Sequence, residues 1–311
     1  MNTQFFKYAL EVERTRSITQ AAENLLIAQP NLSKAIREAE DSLGYEIFER
    51  NSRGVVPTAR GAKFLGYARE IVQQLRKMEE IASGGDAEVQ RLSVSMPRGS
   101  YISKALAAFA ASLDRAKGIE LNITETSSMQ TVTNVLDGSF RLGIIRYQTV
   151  YEKYFQDYLA EKELSSDLIW NFSYLALMPR RHALAERRPL HADDLSDSVE
   201  IVHGDRMVPY LTPEKAQPQF GAAGRKRIYL YERANQFELL GRMPDCFMWV
   251  SPIPQEILNR YELVQRRCSF PNNSCKDVLI YRRDYSLSEL DKHFIDRVYE
   301  AKNEVAFRNY D

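Results

Sequence analysis

Four polar side chains that lie close together in the chain have the chemistry needed to read DNA bases. They are Gln29, Asn31, Ser33 and Lys34. Glutamine and asparagine can pair with adenine through two hydrogen bonds, serine can bond to several bases, and lysine can reach guanine or a phosphate. Pro30 adds an apolar surface that suits a thymine methyl group. This combination indicates a surface that enters the major groove of DNA.

The apolar residues around these side chains predict two short helices joined by a tight turn. They recur every three or four positions at Ala21, Ala22 and Leu25, and then at Leu32, Ile36, Ala39 and Leu43. Ser17 can cap the first helix, and Pro30 suits the first turn of the second. An upstream helix carrying Phe5 and Phe6 completes a small core. The pattern is that of a helix-turn-helix, whose second helix enters the groove.

Basic residues next to this motif are expected to hold the phosphate backbone. Arg37 lies on the second helix, Arg50 directly precedes an Asn-Ser-Arg-Gly turn at positions 51–54, and Arg53 lies within that turn. Such a turn between two short strands predicts a wing. Phosphate contacts set the register on DNA without reading sequence. Taken one at a time, each polar residue could instead be an ordinary solvated side chain, but the set on one face favours DNA binding.

The chain resembles the LysR-type transcriptional regulators over its full length, with the sharpest motifs in the first ninety or so residues. The resemblance rests on residues shared with the family pattern, namely Ser17, Ala21, Ala22, Leu25, Ala28, Gln29, Pro30, Leu32, Ser33, Lys34, Ile36, Glu40, Leu43, Gly44, Phe48, Glu49, Arg50 and the run Pro57–Gly61. It implies that Gln29, Pro30, Ser33 and Lys34 contact DNA. Asn31 stands where the family varies, so it is a candidate for target-specific readout.

Composition is consistent with a soluble DNA-binding protein of two or three domains. Of 311 residues, 44% are hydrophobic and 27% charged, and no apolar run approaches the ~20 residues of a transmembrane helix. The N-terminal residues do not resemble a signal peptide, so a cytoplasmic location without membrane contact is expected. The formal net charge is zero. One copy should therefore bind DNA weakly, and two half-sites are expected to act together.

A long helix is predicted directly after the wing. Thr58 can cap it, and its apolar residues are spaced four, three, four, three, four, at Phe64, Ala68, Ile71, Leu75, Met78 and Ala82. This heptad seam is typical of a coiled coil, and about 25 residues would span nearly 40 Å. An amphipathic helix packed on its own domain is the alternative. The position between the wing and the flexible run Ser83–Gly85 favours a linker helix that joins two copies.

Beyond this run, short β-rich segments such as Leu92–Met96, Leu142–Ile145 and Leu168–Met178 alternate with helical patterns, which indicates α/β structure with largely parallel sheets. The family resemblance divides this part into two lobes like those of periplasmic binding proteins. The expected fold is α+β multidomain, with a winged helix-turn-helix at residues 1–58, a linker and dimerisation helix at 59–89, one lobe at 90–162 with 269–311, and a second lobe at 163–268.

Ligands of open α/β sheets collect at the carboxyl ends of strands and at helix N-termini. Three such junctions and a neighbouring strand end predict an effector site between the lobes, formed by Arg98, Ser100, Tyr101, Ser127, Ser128, Arg146, His203 and Trp249. Each could instead be a helix cap, a surface cation or a core residue. The expected ligand is a small organic anion that acts as co-inducer, and no cofactor is predicted.

One departure from the family pattern lies near the end of the second lobe. The usual Gly-x-Gly-x-Ala-x-x-Pro run reads Asp245-Cys246-Phe247-Met248-Trp249-Val250-Ser251-Pro252 in this chain, so both glycines are missing. Phe247 or Trp249 is therefore expected to narrow the effector site. This departure weakens the transfer of a small-anion site from the family.

The three cysteines, Cys246, Cys268 and Cys275, form no close pair, and the four histidines show no metal-binding spacing. Buried structural thiols in a reducing compartment are the leading interpretation. A peroxide-sensing branch of the family uses a reactive cysteine pair, but the late position of Cys268 and Cys275 does not match it.

The leading hypothesis is a transcriptional regulator that binds a partly palindromic operator in double-stranded DNA as a dimer or a dimer of dimers, under the control of a small-molecule effector. RNA polymerase is a further expected partner. The alternatives are a LysR-like regulator controlled by a partner protein or by concentration and, more remotely, an enzyme in the two-lobed part. The chain contains no nucleophile elbow, phosphate-binding glycine loop or metal cluster that would favour an enzyme.

Overall fold

The computed structural model describes residues 3–51, 54–82, 89–204, 226–231, 236–269, 272–308 and 310. The chain divides into two compact units, Met1–Val89 and Gln90–Asp311. Within its described residues, the first unit contains four helices and a two-stranded antiparallel wing, with bounds α1 Thr3–Thr15, α2 Ile18–Asn24, α3 Gln29–Leu43, β1 Phe48–Asn51, β2 Gly54–Pro57 and α4 Ala59–Ala82. The winged helix-turn-helix and the long helix predicted from the sequence are confirmed.

Local chemistry explains where these helices begin and end. The Ser17 hydroxyl accepts a hydrogen bond from the backbone of Gln20 at the start of α2, as the sequence predicted. Gly44 ends α3 at a φ of +74°, a left-handed conformation that glycine adopts without strain. The Thr58 hydroxyl accepts from the Gly61 N–H at the start of α4, which confirms its predicted role as a cap.

The second unit contains two sheets and six helices within the described residues. The first sheet has the order β4-β3-β5-β13-β6, with helices α5, α6, α7 and α10. Its elements are β3 Val89–Met96, α5 Ser100–Ser112, β4 Gly118–Glu125, α6 Ser128–Leu136, β5 Leu142–Gln148, α7 Glu152–Glu161, β6 Leu164–Ser173, β13 Ser274–Arg282 and α10 Glu289–Ala306.

The second sheet has the order β10-β9-β11-β7-β12-β8. Its strands and helices lie between the two passages of the chain through the first sheet, with bounds β7 Leu175–Pro179, β8 Leu190–His191, β9 Val199–His203, β10 Arg227–Leu230, α8 Gln236–Arg242, β11 Cys246–Val250, α9 Gln255–Arg260 and β12 Leu263–Ser269. The two-lobed α/β architecture expected for the C-terminal part is confirmed.

Two details of that expectation are corrected. Both sheets are mixed rather than largely parallel, because strands that carry the chain between the lobes run antiparallel to their neighbours. The first lobe also extends past residue 162, since β6 pairs with β13 along its length. The predicted run Leu168–Met178 thus divides at Tyr174 into β6 and β7, which belong to different sheets.

No helix among the described residues is both long and apolar enough to cross a membrane.

Candidate DNA interface and effector cleft

The outer face of α3 presents the residues that the sequence predicted for DNA contact. Most of them are exposed at the N-terminal end or along the outer side of the helix: Gln29, Pro30, Asn31, Lys34 and Arg37, with Ser33 half-buried. Lys34 forms a loose surface pair, in which its Nζ lies 3.6 Å from Glu38 Oε1. Such exposed pairs are weak. Lys34 can therefore turn toward a phosphate or a base at little cost.

The opposite face of α3 fixes this surface in place. Leu32, Ile36 and Ala39 are buried in the core of the first unit. At the far end of the helix, the Glu40 carboxylate accepts hydrogen bonds from the backbone N–H groups of Ile47 and Phe48, at 2.8 and 3.1 Å. These bonds tie the end of α3 to the first strand of the wing, so α3 and the wing keep a fixed spacing.

The wing is a two-stranded hairpin in which Asn51 lies opposite Gly54. Gly54 has a φ of +99°, and a Cβ there would lie 2.7 Å from the Arg16 carbonyl oxygen, so only glycine fits. Arg53 lies outside the described residues. Of Arg50 only the backbone is described, and it pairs with Val55. The predicted phosphate contacts of these two arginines stay predictions.

The predicted seam on α4 needs a correction at its first two positions. Phe64 and Ala68 are buried in the first unit itself, where the Phe64 ring packs 5.8 Å from Phe5 and 6.0 Å from Phe6. An ion pair of 2.6 Å between Arg69 Nη1 and Glu13 Oε2 also joins α4 to α1. The heptad pattern did not distinguish a partner helix from α1, which fills this face of α4.

An apolar stripe remains exposed beside that buried face. Tyr67 is 68% exposed, Ile71 38% and Met78 64%, and Leu75 is half-buried. Their spacing of four, four and three places them on one side of the helix. The side chain of Ala82 lies outside the described residues. Tyr67 was missed because it breaks the strict heptad spacing, although its aromatic character on a helix surface is the signal that could have found it.

A buried ion pair lies where the expected effector cleft meets the first sheet. Arg146 at the end of β5 binds Asp277 on β13 through two hydrogen bonds of 2.7 Å, from Nε and Nη2 to the two carboxylate oxygens. Tyr101 donates its hydroxyl to the same carboxylate at 2.5 Å. Asp277 and Tyr101 are completely buried. The positive charge of Arg146 is therefore balanced within the protein.

Burial and charge set the protonation of this network. Burial disfavours the charged guanidinium, but Asp277 outweighs it and holds the pKa of Arg146 well above its ordinary value. Burial together with the negative charge of Asp277 raises the pKa of Tyr101 well above its ordinary value. The tyrosine thus stays a hydrogen-bond donor and the arginine stays charged. Asp277 was missed in the sequence, where an acidic residue directly before the apolar run Val278–Tyr281 was the available signal.

The two serines at the start of α6 have different surroundings. Ser127 accepts a hydrogen bond from the Gln130 N–H and caps the helix. The Ser128 hydroxyl donates to the Arg146 carbonyl at 2.6 Å and accepts from the Arg146 N–H at 2.9 Å. Ser128 therefore joins α6 to β5, and its hydroxyl hydrogen is already used within the protein.

Arg98 connects the facing ends of the two sheets. Its Nη2 donates to the Tyr231 carbonyl oxygen at 2.6 Å. On the second-sheet side, a Cβ at Gly204 would lie 2.6 Å from the Tyr231 ring, so glycine allows that ring to pack against the backbone. Ser100 and His203 are largely buried at the start of α5 and the end of β9. The structure thus brings Tyr101 and Arg146 together on Asp277, binds Ser128 to the Arg146 backbone, and joins Arg98 to the other lobe.

Comparisons with known proteins match both units of the chain to models of protein families. Residues 4–62 match the model of the bacterial regulatory helix-turn-helix proteins of the lysR family. Residues 85–302 match the LysR substrate binding domain. The chain belongs to the LysR family. It is a DNA-binding transcriptional regulator with an effector-binding domain.

Individual relatives are distant. The chain is 28% identical to the transcriptional regulator CysB of Burkholderia cenocepacia over 264 residues, which cover 84% of this chain and 74% of that protein. It is 22% identical to AlsR of Bacillus subtilis over 298 residues, which cover 95% and 94%. A full-length OxyR variant from Pseudomonas aeruginosa superposes with a TM-score of 0.60 at 16% identity, over 96% of this chain and 94% of that one. The last comparison shows a shared fold.

Trp249 of this LysR-family chain does not form an open wall of the cleft. It is 5% exposed and packs with Phe247 in the hydrophobic cluster that also contains Leu190 and Leu195. The two rings meet edge to face at 5.5 Å. The expectation that one of these side chains narrows the effector site is corrected, because both point into the core of the second lobe.

The cysteines are free and buried. Burial raises the pKa of Cys246 to about 11 and that of Cys268 to about 12, with nearby acidic side chains adding to the effect. A thiol reacts as its thiolate, so both are poor nucleophiles at neutral pH. This environment agrees with the interpretation of these cysteines as structural residues.

Proposed function

We propose that this regulator reads its operator through the outer face of α3, with Gln29, Asn31 and Lys34 as the leading base contacts. The supporting observation is that these side chains are exposed together at the end of α3 while Leu32 and Ile36 hold the helix from behind. The N-terminal end of a recognition helix is the part that contacts base edges. Arg37 and the wing arginines are assigned to phosphates.

Two copies are proposed to act together, paired through the exposed stripe Tyr67, Ile71, Leu75 and Met78. The acidic side chains of Glu38 and Asp41 are exposed near the basic ones on α3, so one unit attracts DNA weakly. Linking two units raises the effective concentration of the second at its half-site. The apolar stripe on α4 supplies a surface that a second copy would cover.

The effector is proposed to bind between the facing ends of the two sheets, near Arg98, Ser100 and Ser127. Arg146 and Ser128 are reassigned to holding this site together, because their hydrogen bonds are used within the protein. Arg98 already bridges the lobes. An effector that competes for Arg98 would change how the lobes are joined, and this would link ligand binding to DNA binding.

A selection experiment tests DNA reading directly. Full-length protein is mixed with a pool of randomised DNA duplexes, bound duplexes are recovered, and the enriched sequences are compared. We expect an inverted repeat with two half-sites. The variant Asn31→Ala should lose enrichment at one position of each half-site, whereas Asn122→Ala on β4 should leave the pattern unchanged. Recovery without any sequence preference, or an unchanged pattern for Asn31→Ala, would contradict the proposal.

A regulator without a small-molecule effector is the second candidate. It is favoured by one observation, that Arg98, Ser128 and Arg146 already have hydrogen-bond partners inside the protein. Thermal melting of the full-length protein with a broad panel of metabolites separates the two. A rise in melting temperature that depends on ligand concentration and disappears in Arg98→Gln supports an effector in the cleft. No rise with any compound supports the second candidate.

A further inference from the structure

An acidic side chain stands among the DNA-facing residues of α3. Glu38 is exposed on the outer side of this helix, seven positions after Asn31 and four after Lys34. Residues at these spacings lie on one side of a helix, and Leu32 and Ile36 on the opposite side are buried in the core. Asn31, Lys34 and Glu38 therefore form one exposed row, which we call the reading row.

The reading row is short enough to lie within one major groove. At about 1.5 Å per residue, Glu38 lies about 10 Å along the helix axis from Asn31 and about 6 Å from Lys34. The recognition helix of a homeodomain reads bases with side chains that are up to about seven positions apart. Glu38 therefore belongs to the length of helix that can reach base edges when Asn31 does.

A carboxylate at this place lowers the affinity for DNA unless it meets a hydrogen-bond donor. Phosphates repel it in the same way at every sequence. In the major groove, guanine presents two acceptors, thymine an acceptor and a methyl group, and adenine a donor beside an acceptor. Cytosine presents its amino group as a donor without a neighbouring acceptor on the same base. Cytosine is thus the base whose edge suits Glu38.

Lys34 complements Glu38 at the same base pair. Its Nζ lies 3.6 Å from Glu38 Oε1, and the two side chains are 75% and 65% exposed. In a G·C pair, guanine O6 can accept a hydrogen bond from lysine, and cytosine N4 can donate one to a carboxylate. These two base atoms lie about 3 Å apart, because they share a hydrogen bond within the pair. The spacing of the two charges therefore matches the spacing of acceptor and donor on one G·C pair.

The carboxylate of Glu38 is available for such a contact. Glu40, two positions later, is used within the protein, since it accepts hydrogen bonds from the backbone of Ile47 and Phe48. Glu38 faces solvent and lies in a loose pair with Lys34. Exposed pairs of this kind contribute little to stability. Both side chains can therefore turn toward a base pair without loss of structure.

We propose that Lys34 and Glu38 together read one G·C base pair in each half-site, with Lys34 on the guanine and Glu38 on the amino group of the cytosine. Glu38 is then a specificity-determining residue, because it disfavours any base that presents an acceptor to its carboxylate. This role of Glu38 rests on the proposed reading of DNA through α3, and it adds the base that this side chain selects.

Selection from randomised duplexes with the full-length protein tests this role. The parent should enrich a G·C pair at one position of each half-site. Glu38→Ala should reduce that preference about fivefold or more while the other positions stay enriched. Its affinity for random duplexes should rise, because a negative charge is removed. Glu38→Gln should shift the preference from cytosine toward adenine, since an amide bonds to both N6 and N7 of adenine.

Asp41→Ala is the matched control, because it removes another exposed negative charge further along α3. It should raise the affinity for random duplexes and leave the enriched sequence unchanged. Lys34→Ala should relax the same position as Glu38→Ala. Melting curves of the variants check that each is folded.

Two results would overturn the role of Glu38 and leave the reading by α3 intact. In the first, Glu38→Ala keeps the enriched sequence of the parent while Asn31→Ala loses its own position, so that Glu38 acts through its charge alone. In the second, Lys34→Ala and Glu38→Ala relax different positions, which excludes a shared base pair. Absence of any enriched sequence for the parent contradicts the proposed reading by α3, and the role of Glu38 fails with it.

Discussion

The outer face of α3 and the base of the effector cleft both carry polar residues that the sequence predicted to bind ligands. The first set is exposed to solvent, whereas the second is buried and paired within the protein. Gln29, Asn31 and Lys34 are close in sequence and exposed to water. Arg146 and Tyr101 are buried, and their partner Asp277 lies 131 and 176 positions away in the chain. Exposed polar groups are available for a partner molecule, whereas buried ones must first satisfy each other.

This contrast has an energetic side. A buried charge that loses its partner costs about 3–5 kcal/mol, whereas an exposed pair such as Lys34 with Glu38 contributes about 0.3–0.5 kcal/mol. Substitutions in the cleft should therefore act mainly on folding, and substitutions on the first unit mainly on DNA binding.

The largest effect on DNA binding is expected from charge on the α4 stripe. In the double variant Tyr67→Glu/Met78→Glu, two exposed apolar side chains become acidic, so the unit should fold while pairing is lost. Affinity for an operator with two half-sites should fall about a hundredfold or more, because the gain from linking two sites disappears. Light scattering after size exclusion reports pairing, and gel-shift titration reports affinity. Val150→Glu, an exposed apolar residue of the second unit, is the control. If the variant stays paired, the stripe is not the surface through which two copies pair.

Loss of the Asp277 charge should make the second unit less stable to unfolding. Asp277→Asn leaves Arg146 buried beside a neutral group and should lower the free energy of unfolding by about 3–5 kcal/mol. The two tryptophans, Trp170 and Trp249, both lie in the second unit, so tryptophan fluorescence during urea unfolding reports on it selectively. The double variant Arg146→Met/Asp277→Leu removes both charges and should recover much of the loss. Equal stability of Asp277→Asn and the parent would contradict the buried pair.

Gln29→Ala should weaken DNA binding without changing stability. The loss of one base contact should cost about 1–3 kcal/mol and relax the sequence preference at one position of each half-site. Fluorescence anisotropy at fixed salt, with the selected operator and with single-base variants, measures both quantities. Gln130→Ala on α6 removes a similar side chain far along the chain and serves as the control. A uniform loss on all duplexes would reassign Gln29 to the phosphate backbone.

The smallest effect is expected at the cysteines. Burial raises the pKa of Cys246 to about 11 and that of Cys268 to about 12, so at pH 8 fewer than about one in a hundred of these thiols is ionised. A thiol reagent at pH 8 should label the folded protein very slowly, and labelling should accelerate as the pH rises toward those values. Ser139→Cys introduces an exposed thiol as a positive control. Rapid labelling of the folded parent would show that the cysteines are accessible.

The parts of the molecule that depend on neighbouring residues were predictable from the sequence. Ser17 and Thr58 cap helices that begin one residue later, and Leu32 and Ile36 face the core at the spacing of a helix. The exposed face of α3 follows from that same spacing. These features need no knowledge of distant parts of the chain, because each depends on contacts within a few residues.

Features that depend on distant partners were not predictable in detail. The seam on α4 was placed on Phe64 and Ala68 because a heptad pattern marks an apolar face without saying which helix covers it, and α1 covers it here. The lobe boundary, which was taken from the family resemblance, was misplaced because no local pattern shows that β6 pairs in the first sheet while β7, one residue later, pairs in the second.

The burial of Phe64, Leu65 and Ala68 makes the start of α4 an inseparable part of the DNA-reading unit. Because α3 and the start of α4 share this core, they move as one rigid body. A rotation of α4 about its axis therefore rotates α3 as well. At about 1.5 Å per residue, the 24 residues of α4 extend about 36 Å, close to the pitch of B-form DNA. Insertion of one residue after Val72 would rotate Leu75 and Met78 by about 100° relative to Tyr67, Ile71 and α3, so the exposed stripe would no longer be continuous. The angle about the α4 axis between the exposed stripe and α3 would limit which operator spacings a pair of copies can occupy.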